Sequence, residues 1–318
     1  MTQTPLLLAG DFTPPTRADW EAEVLKVLNR GRPEGKQITI DQAMAILPTT
    51  PVDGLAIEPL YTATDVPLGL PGAMPFTRGT GFKTSPATYW DVRALHEDPD
   101  AAFTHEQVLA DLQRGATSLW LRVGADAIAA DDLASILDGV EPDLAPISVS
   151  SVDDQLAAAR ALVAFFKASG AANARGNLGI DALALAARTG QAPDLGAQAE
   201  WVQASLAELP NVRALTVDVL PYDDAGASDV DQLAFAIATG VAYLRDLEAA
   251  GIAPSQAYSQ LLFRVSVNAD QFTSISRLRS LRRLWARVGE VSGVPDGARG
   301  AVQQAVTSWR MITRDDPW

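Results

Sequence analysis

The stretch AYSQLLFRVSVNADQFTSISRLRSLRRLWARVG, residues 257–289, carries two different periods on either side of one short loop. From Leu261 the residues alternate. Leu261, Phe263, Val265 and Val267 point one way, and Leu262, Arg264, Ser266 and Asn268 the other, which is the period of a strand. After Asn268-Ala269-Asp270 the spacing becomes helical. Phe272, Ile275, Leu278, Leu281, Trp285 and Val288 form one stripe, with Arg277, Arg282, Arg283 and Arg287 expected mainly on the opposite side. Asp270 is placed to cap the first turn. A strand that feeds an amphipathic helix is half of a βαβ unit, so the chain reads as α/β.

Working outward, the same alternation recurs from about residue 104. Helices at 105–114, 130–137, 153–168, 195–209 and 229–250 lead to strands at 118–123, 147–150, 178–181, 212–219 and 261–268. A further helix at 298–305 leads to a strand at 308–313. About six strands of βα type predict a parallel sheet or a (β/α)8 barrel, two strands short of eight. The first 89 residues read differently. A short amphipathic helix at 16–28 precedes chain punctuated by Pro51, Pro59, Pro67, Pro71, Pro75 and Pro86. Prolines at that density exclude a central sheet. Residues 1–89 are therefore expected to form a helix and an extended arm, and residues 90–318 a partial barrel.

Composition limits the function classes. A formal charge of −14 over 318 residues opposes nucleic-acid binding, which needs a basic surface. No apolar run approaches the roughly 20 residues of a membrane span, and the opening MTQTPLLLAGDF lacks a basic n-region. With no cysteine there is no disulfide and no thiolate ligand. These features suit a cytoplasmic protein with no membrane partner.

Three segments resemble the methylmalonyl-CoA mutase family, in that family's order. Residues 268–288 resemble its "N-x-F-…-K-x-R-A-A-R-x-L-W-A" segment. Pro59-Leu60-Tyr61-Thr62 with Leu70-Pro71-Gly72 and Pro75-Phe76-Thr77-Arg78-Gly79 resembles its "PLYT…LPGxxPFTRG" entry. The third runs from Ala225-Gly226-Ala227-Ser228 to Gly240-Val241-Ala242-Tyr243-Leu244-Arg245. The resemblance implies a (β/α)8 TIM-type barrel, incomplete here, with the barrel end and a C-terminal flavodoxin-like domain lying beyond Trp318. It also implies an isomerase of propionate metabolism that interconverts (R)-methylmalonyl-CoA and succinyl-CoA with adenosylcobalamin.

The residues that the family's catalytic chains use are missing from the matching positions. A cobalt-ligating histidine would sit in D-x-H-x-x-G, and neither His96 nor His105 does; both are expected on the surface, away from strand C-termini. A thioester-binding histidine would sit in "Y-H-M-Q-E-A-G-A", where this chain has Val219-Leu220-Pro221-Tyr222-Asp223-Asp224-Ala225-Gly226-Ala227. The Asp223–Asp224 pair is expected to be solvated in a loop. Residues 80–86 depart from the family's substrate-contacting segment. If the apolar alternates face the helices, the axis receives Trp120, Arg122, Ser148, Ser150, Asp181, Thr216, Asp218, Arg264 and Ser266. Catalytic chains line this axis with small hydroxylic residues that admit the pantetheine arm. Trp120, Arg122 and Arg264 would block it, with Asp181 and Asp218 as their counter-charges.

The expectation is a non-catalytic small subunit that binds and stabilises a large catalytic subunit as a heterodimer. No catalytic, cofactor-binding or metal-binding residue is expected on this chain, and adenosylcobalamin would belong to the large subunit. A catalytic mutase chain would need a histidine near Pro221. An unrelated barrel lyase such as an aldolase would need a lysine or metal ligands at strand ends.

Overall fold

A computed structural model describes residues 13–62, 69–81 and 90–312. The chain divides into two compact units between Val66 and Pro67.

In the first unit Arg17–Leu28 (α1) and Ile40–Ile46 (α2) each begin with a capping box. Thr16 and Asp19 cap one, Thr39 and Gln42 the other. Each box satisfies two backbone donors that a helix start leaves open. Thr49 and Ile57 bridge in antiparallel fashion. Ala43 is the one side chain described here that is fully buried, while Val27, Ile46, Val52, Leu55 and Tyr61 are all more than 60% exposed. Sequence periodicity finds α1, but it shows nothing of how little that helix buries.

The second unit is an incomplete α/β barrel, with seven strands among the described residues. Its elements run β1 (Arg93–His96), α3 (Ala101–Gln113), β2 (Ser118–Arg122), α4 (Leu133–Ile136), β3 (Ile147–Ser150), α5 (Gln155–Ser169), β4 (Gly176–Ile180), α6 (Ala182–Thr189), α7 (Gly196–Glu208), β5 (Val212–Asp218), α8 (Leu220–Asp224), α9 (Asp229–Ala249), α10 (Pro254–Ser259), β6 (Leu261–Val267), α11 (Gln271–Val291) and β7 (Gln303–Thr307). All strand pairs are parallel and the spatial order is β1 to β7 without a crossover. This is the incomplete (β/α)8 arrangement that the pattern implies. Among the described helices none is long and apolar enough to cross a membrane.

The strand assignments need two corrections. β1 escapes periodicity because Arg93-Ala94-Leu95-His96 has no alternation to detect. The last strand is 303–307, overlapping the end of the helix expected at 298–305, and Trp309–Met311 is a 3-10 turn where a strand was expected. Ala and Gln in QQAVT favour a helix by propensity, but pairing with β6 from Phe263↔Gln303 to Val267↔Thr307 overrides it.

The apolar alternates do face the helices. Leu119, Leu121, Ile147, Val149, Leu215, Val217, Leu261, Phe263 and Val265 join one cluster with Leu162, Phe166, Tyr243, Leu247 and Trp285. Trp285 stacks on Tyr258 at 4.6 Å and meets Phe263 edge-on at 4.8 Å. The stripe expected on α11 is only partly correct. Phe272 is 79% exposed, whereas Arg277 is buried. Its guanidinium pairs with Asp229 at 2.6 Å and donates to the Ser266 carbonyl, so a charge occupies the core side opposite an acidic partner and a backbone acceptor.

Candidate functional site at the barrel mouth

The C-terminal ends of the strands surround a cavity of about 180 Å³, where barrel proteins place their ligands. Strands β2 to β6, or the residues just after them, deliver side chains to it. β2 gives Trp120 and Arg122, β3 gives Ser150, the end of β4 gives Asp181, β5 gives Thr216 and Asp218, and β6 gives Arg264.

Arg264 closes the floor. It is 2% exposed, and its Nη1 donates to Asp218 Oδ2 at 3.1 Å. Its Cζ lies 4.2 Å from the centroid of the Trp120 ring, a cation–π contact. Trp120 Nε1 in turn donates to Ser150 Oγ at 2.8 Å. Below this layer, Arg264 Nε and Arg93 Nη1 both donate to Gln304 Oε1, at 3.2 and 3.3 Å, and Arg93 Nε donates to Ser118 Oγ at 3.1 Å. Burial draws the Arg93 guanidinium down to about 10, against the opposing pull of Asp91. The axis is thus filled by the chain's own side chains at mid-height and below.

The two remaining axis charges pair differently from expectation. Arg122 meets Glu97 at 3.0 Å, with both side chains more than a third exposed. Asp181 has no arginine. It is 2% exposed and accepts hydrogen bonds from the Tyr243 hydroxyl, the Ala184 amide at 2.9 Å and the Asp218 amide at 2.7 Å. Burial raises its carboxyl to about 7, partly offset by these three donors and reinforced by the Asp218 charge. Sequence reasoning identifies Asp181 as an inward residue and misses Tyr243, which reaches it from α9 across 62 positions.

One histidine placement and one carboxylate placement require correction. His96 is 7% exposed and is the last residue of β1. It does not enter the mouth, because Leu95 is the β1 residue lining the cavity, while His96 Nε2 lies 3.5 Å from Asp111 on α3. Burial lowers its pKa, against the Asp111 charge. His105 is half-buried, with Nδ1 3.0 Å from the Ile136 carbonyl. Asp223 is not a solvated loop residue. It is 1% exposed on α8 and receives Gln232 Nε2 at 3.0 Å, Ser308 Oγ at 2.6 Å and Arg310 Nη1 at 3.3 Å. Asp224 remains exposed at the cavity rim, its pKa raised by burial and then by Asp223 and Asp218, with Arg188 opposing.

Chemically the mouth offers carboxylates, arginines and two serines, but no imidazole among the described residues that line it. No serine–histidine pair is therefore formed among those residues. Among the described residues no group of three or more His, Asp or Glu side chains is arranged to hold a metal ion.

The profile described as methylmalonyl-CoA mutase matches residues 122–317, more than half of the chain. The chain belongs to the methylmalonyl-CoA mutase family. Among its relatives is the methylmalonyl-CoA mutase small subunit of Propionibacterium freudenreichii subsp. shermanii. It is 48% identical over 322 residues, which cover 100% of this chain and 50% of the relative. The small subunit of Streptomyces virginiae is 44% identical over 98% of this chain and 51% of its own. A probable small subunit from Mycobacterium bovis is 36% identical over 95% and 50%. The chain spans about half the length of the curated relatives it matches. These three relatives carry small-subunit names, and the filled axis described above lies in the half they share with this chain.

Proposed function

We propose that this chain serves as the non-catalytic small subunit of a methylmalonyl-CoA mutase, a cytoplasmic protein that binds and stabilises a larger catalytic subunit. The observation that carries this reading is the Trp120–Arg264–Asp218 layer across the barrel axis. A thioester carried on a pantetheine arm needs an open bore, and here the bore holds an indole stacked on a paired guanidinium. The lining adds support, because neither histidine faces the cavity. The relatives' names support a larger partner.

Adenosylcobalamin would belong to the complex and be held by the larger subunit. The residues described here do not fit it. Neither histidine lines the mouth cavity or stands in a D-x-H-x-x-G motif: His96 is buried beside Asp111, and His105 lies on α3 with Nδ1 at the Ile136 carbonyl. The partner surface on this chain is assigned to its N-terminal segment, whose exposed Val27, Ile46, Val52, Leu55 and Tyr61 have no core of their own. The formal charge of −14 argues against nucleic acid as a partner.

Co-expression with a large mutase subunit tests the reading. A tagged copy of this chain should retain the large subunit through purification, and isomerase activity should require both. Turnover of methylmalonyl-CoA by this chain alone, or failure of the two to co-purify, would overturn it.

A further inference from the structure

The segment after β7 turns back over the barrel mouth. Ser308 continues the ladder by donating its amide to the Val267 carbonyl at 2.8 Å, and Trp309–Met311 then forms a single 3-10 turn. Trp309 lines the mouth cavity while remaining 60% exposed, so its ring covers the opening without being packed into a core. What holds the turn down is the buried carboxylate of Asp223. Two of that carboxylate's three side-chain donors, Ser308 Oγ at 2.6 Å and Arg310 Nη1 at 3.3 Å, come from the turn itself. Arg310 Nη1 also donates to the Ala227 carbonyl at 3.2 Å.

We propose that residues 308–311 form a gate over the barrel mouth, latched shut by Asp223. The latch is built to be reversible. Arg310 is half-exposed, so lifting the turn returns its charge to water at little cost, and water reaches Asp223 along the same path. The third donor, Gln232, stays on α9 and keeps the carboxylate oriented while the turn is open. Trp309 sits on one exposed turn with its backbone held mainly at Ser308, so its ring swings as a unit with Arg310. The gate sets access to Trp120, Asp181 and the rest of the cavity floor. This inference is independent of whether the chain catalyses or supports catalysis.

The absence of cysteine makes the test direct. Ser150→Cys in the full chain puts one thiol in the cavity wall, and its labelling by a maleimide is followed by mass spectrometry. Ala172→Cys, on an exposed turn, is the reference. Replacing Ser308 and Arg310 together by alanine should speed labelling at the cavity thiol by at least about tenfold, the factor equivalent to about 1.4 kcal/mol of lost latch energy. The reference thiol should not change. Trp309→Ala leaves the latch intact and should also speed the cavity thiol, and it decides the matter if the double variant does not fold. Cavity labelling unchanged in Trp309→Ala, or unchanged in a folded double variant, overturns the gate.

Discussion

The guanidinium of Arg264 is sandwiched between the Trp120 ring, 4.2 Å away, and the Asp218 carboxylate, 3.1 Å away. A charge buried to this degree is tolerable only while both neighbours remain, and that sets the first expected outcome. Arg264→Ala should destabilise the protein by roughly 3–5 kcal/mol, because it strands the Asp218 carboxylate. Arg283→Ala, at an exposed position on α11, should cost less than about 1 kcal/mol. Urea denaturation of the two variants compares them, and equal costs would remove the axis plug as a structural element.

Asp181 should make stability depend on pH in the sense opposite to an ion-paired carboxylate. Its folded pKa of about 7 lies above the roughly 3.9 of an unfolded aspartate, so the folded state holds the extra proton between those values. The contribution is complete below about pH 4 and is lost as pH rises through about 7, on the order of 4 kcal/mol in all. Denaturation midpoints of the wild type, measured against Asp181→Asn across this range, should show that loss. Tyr243→Phe removes a donor to the ionised form and should move the window to higher pH. A flat difference between the wild type and Asp181→Asn would refute the assignment.

Gly179 tests the register of the sheet. Its φ is +71°, and a Cβ there would lie 2.0 Å from the Val149 carbonyl oxygen on β3. Val149 is fixed by its pairing with β2 and Gly179 lies where β4 shifts register between Asn177 and Ile180, so Gly179→Ala should cost roughly 2–5 kcal/mol or prevent folding. Gly139, with φ +77° and open space around it, should cost only about 1–2 kcal/mol when replaced by alanine. Thermal melts of the two proteins separate backbone strain alone from strain plus collision.

Deletion of residues 1–79 should abolish co-elution with a large mutase subunit in size-exclusion chromatography. The deletion removes the exposed apolar residues of the first unit together with Phe76, which is buried. Persistence of the complex would move the interface onto the barrel.

The isolated chain should not bind adenosylcobalamin. A spectroscopic titration should leave the cobalamin absorbance unchanged at micromolar concentrations, whereas a shifted spectrum would reverse the reading of His96 and His105.

Much of the barrel is legible in the sequence because its strands obey one rule. Alternation identifies β2, β3, β5 and β6 and sorts Trp120, Asp218 and Arg264 onto the axis, where the structure has them. The rule fails where side chains stop reporting backbone. β1, Arg93-Ala94-Leu95-His96, does not alternate, and β7 is written in helix-forming residues that pairing overrides. It fails again where a charge is satisfied by a distant element. Arg277 is recruited inward by Asp229, Asp223 by Ser308 and Arg310, and Asp181 by Tyr243. No local pattern encodes those pairings, since each joins residues brought together only when the sheet curls.

The contact between Arg93 on β1 and Gln304 on β7 joins positions 211 residues apart. Closing so long a loop costs entropy that no local contact repays, so this junction belongs among the last to form. The βα units can assemble in sequence, each pairing with its neighbour, while the polar chain from Ser118 through Arg93, Gln304 and Arg264 to Asp218 waits for the two ends of the sheet to meet. Weakening that junction would leave the folding rate almost unchanged and hasten unfolding. The same side chains that fill the bore thus determine how long the two ends of the curled sheet stay joined.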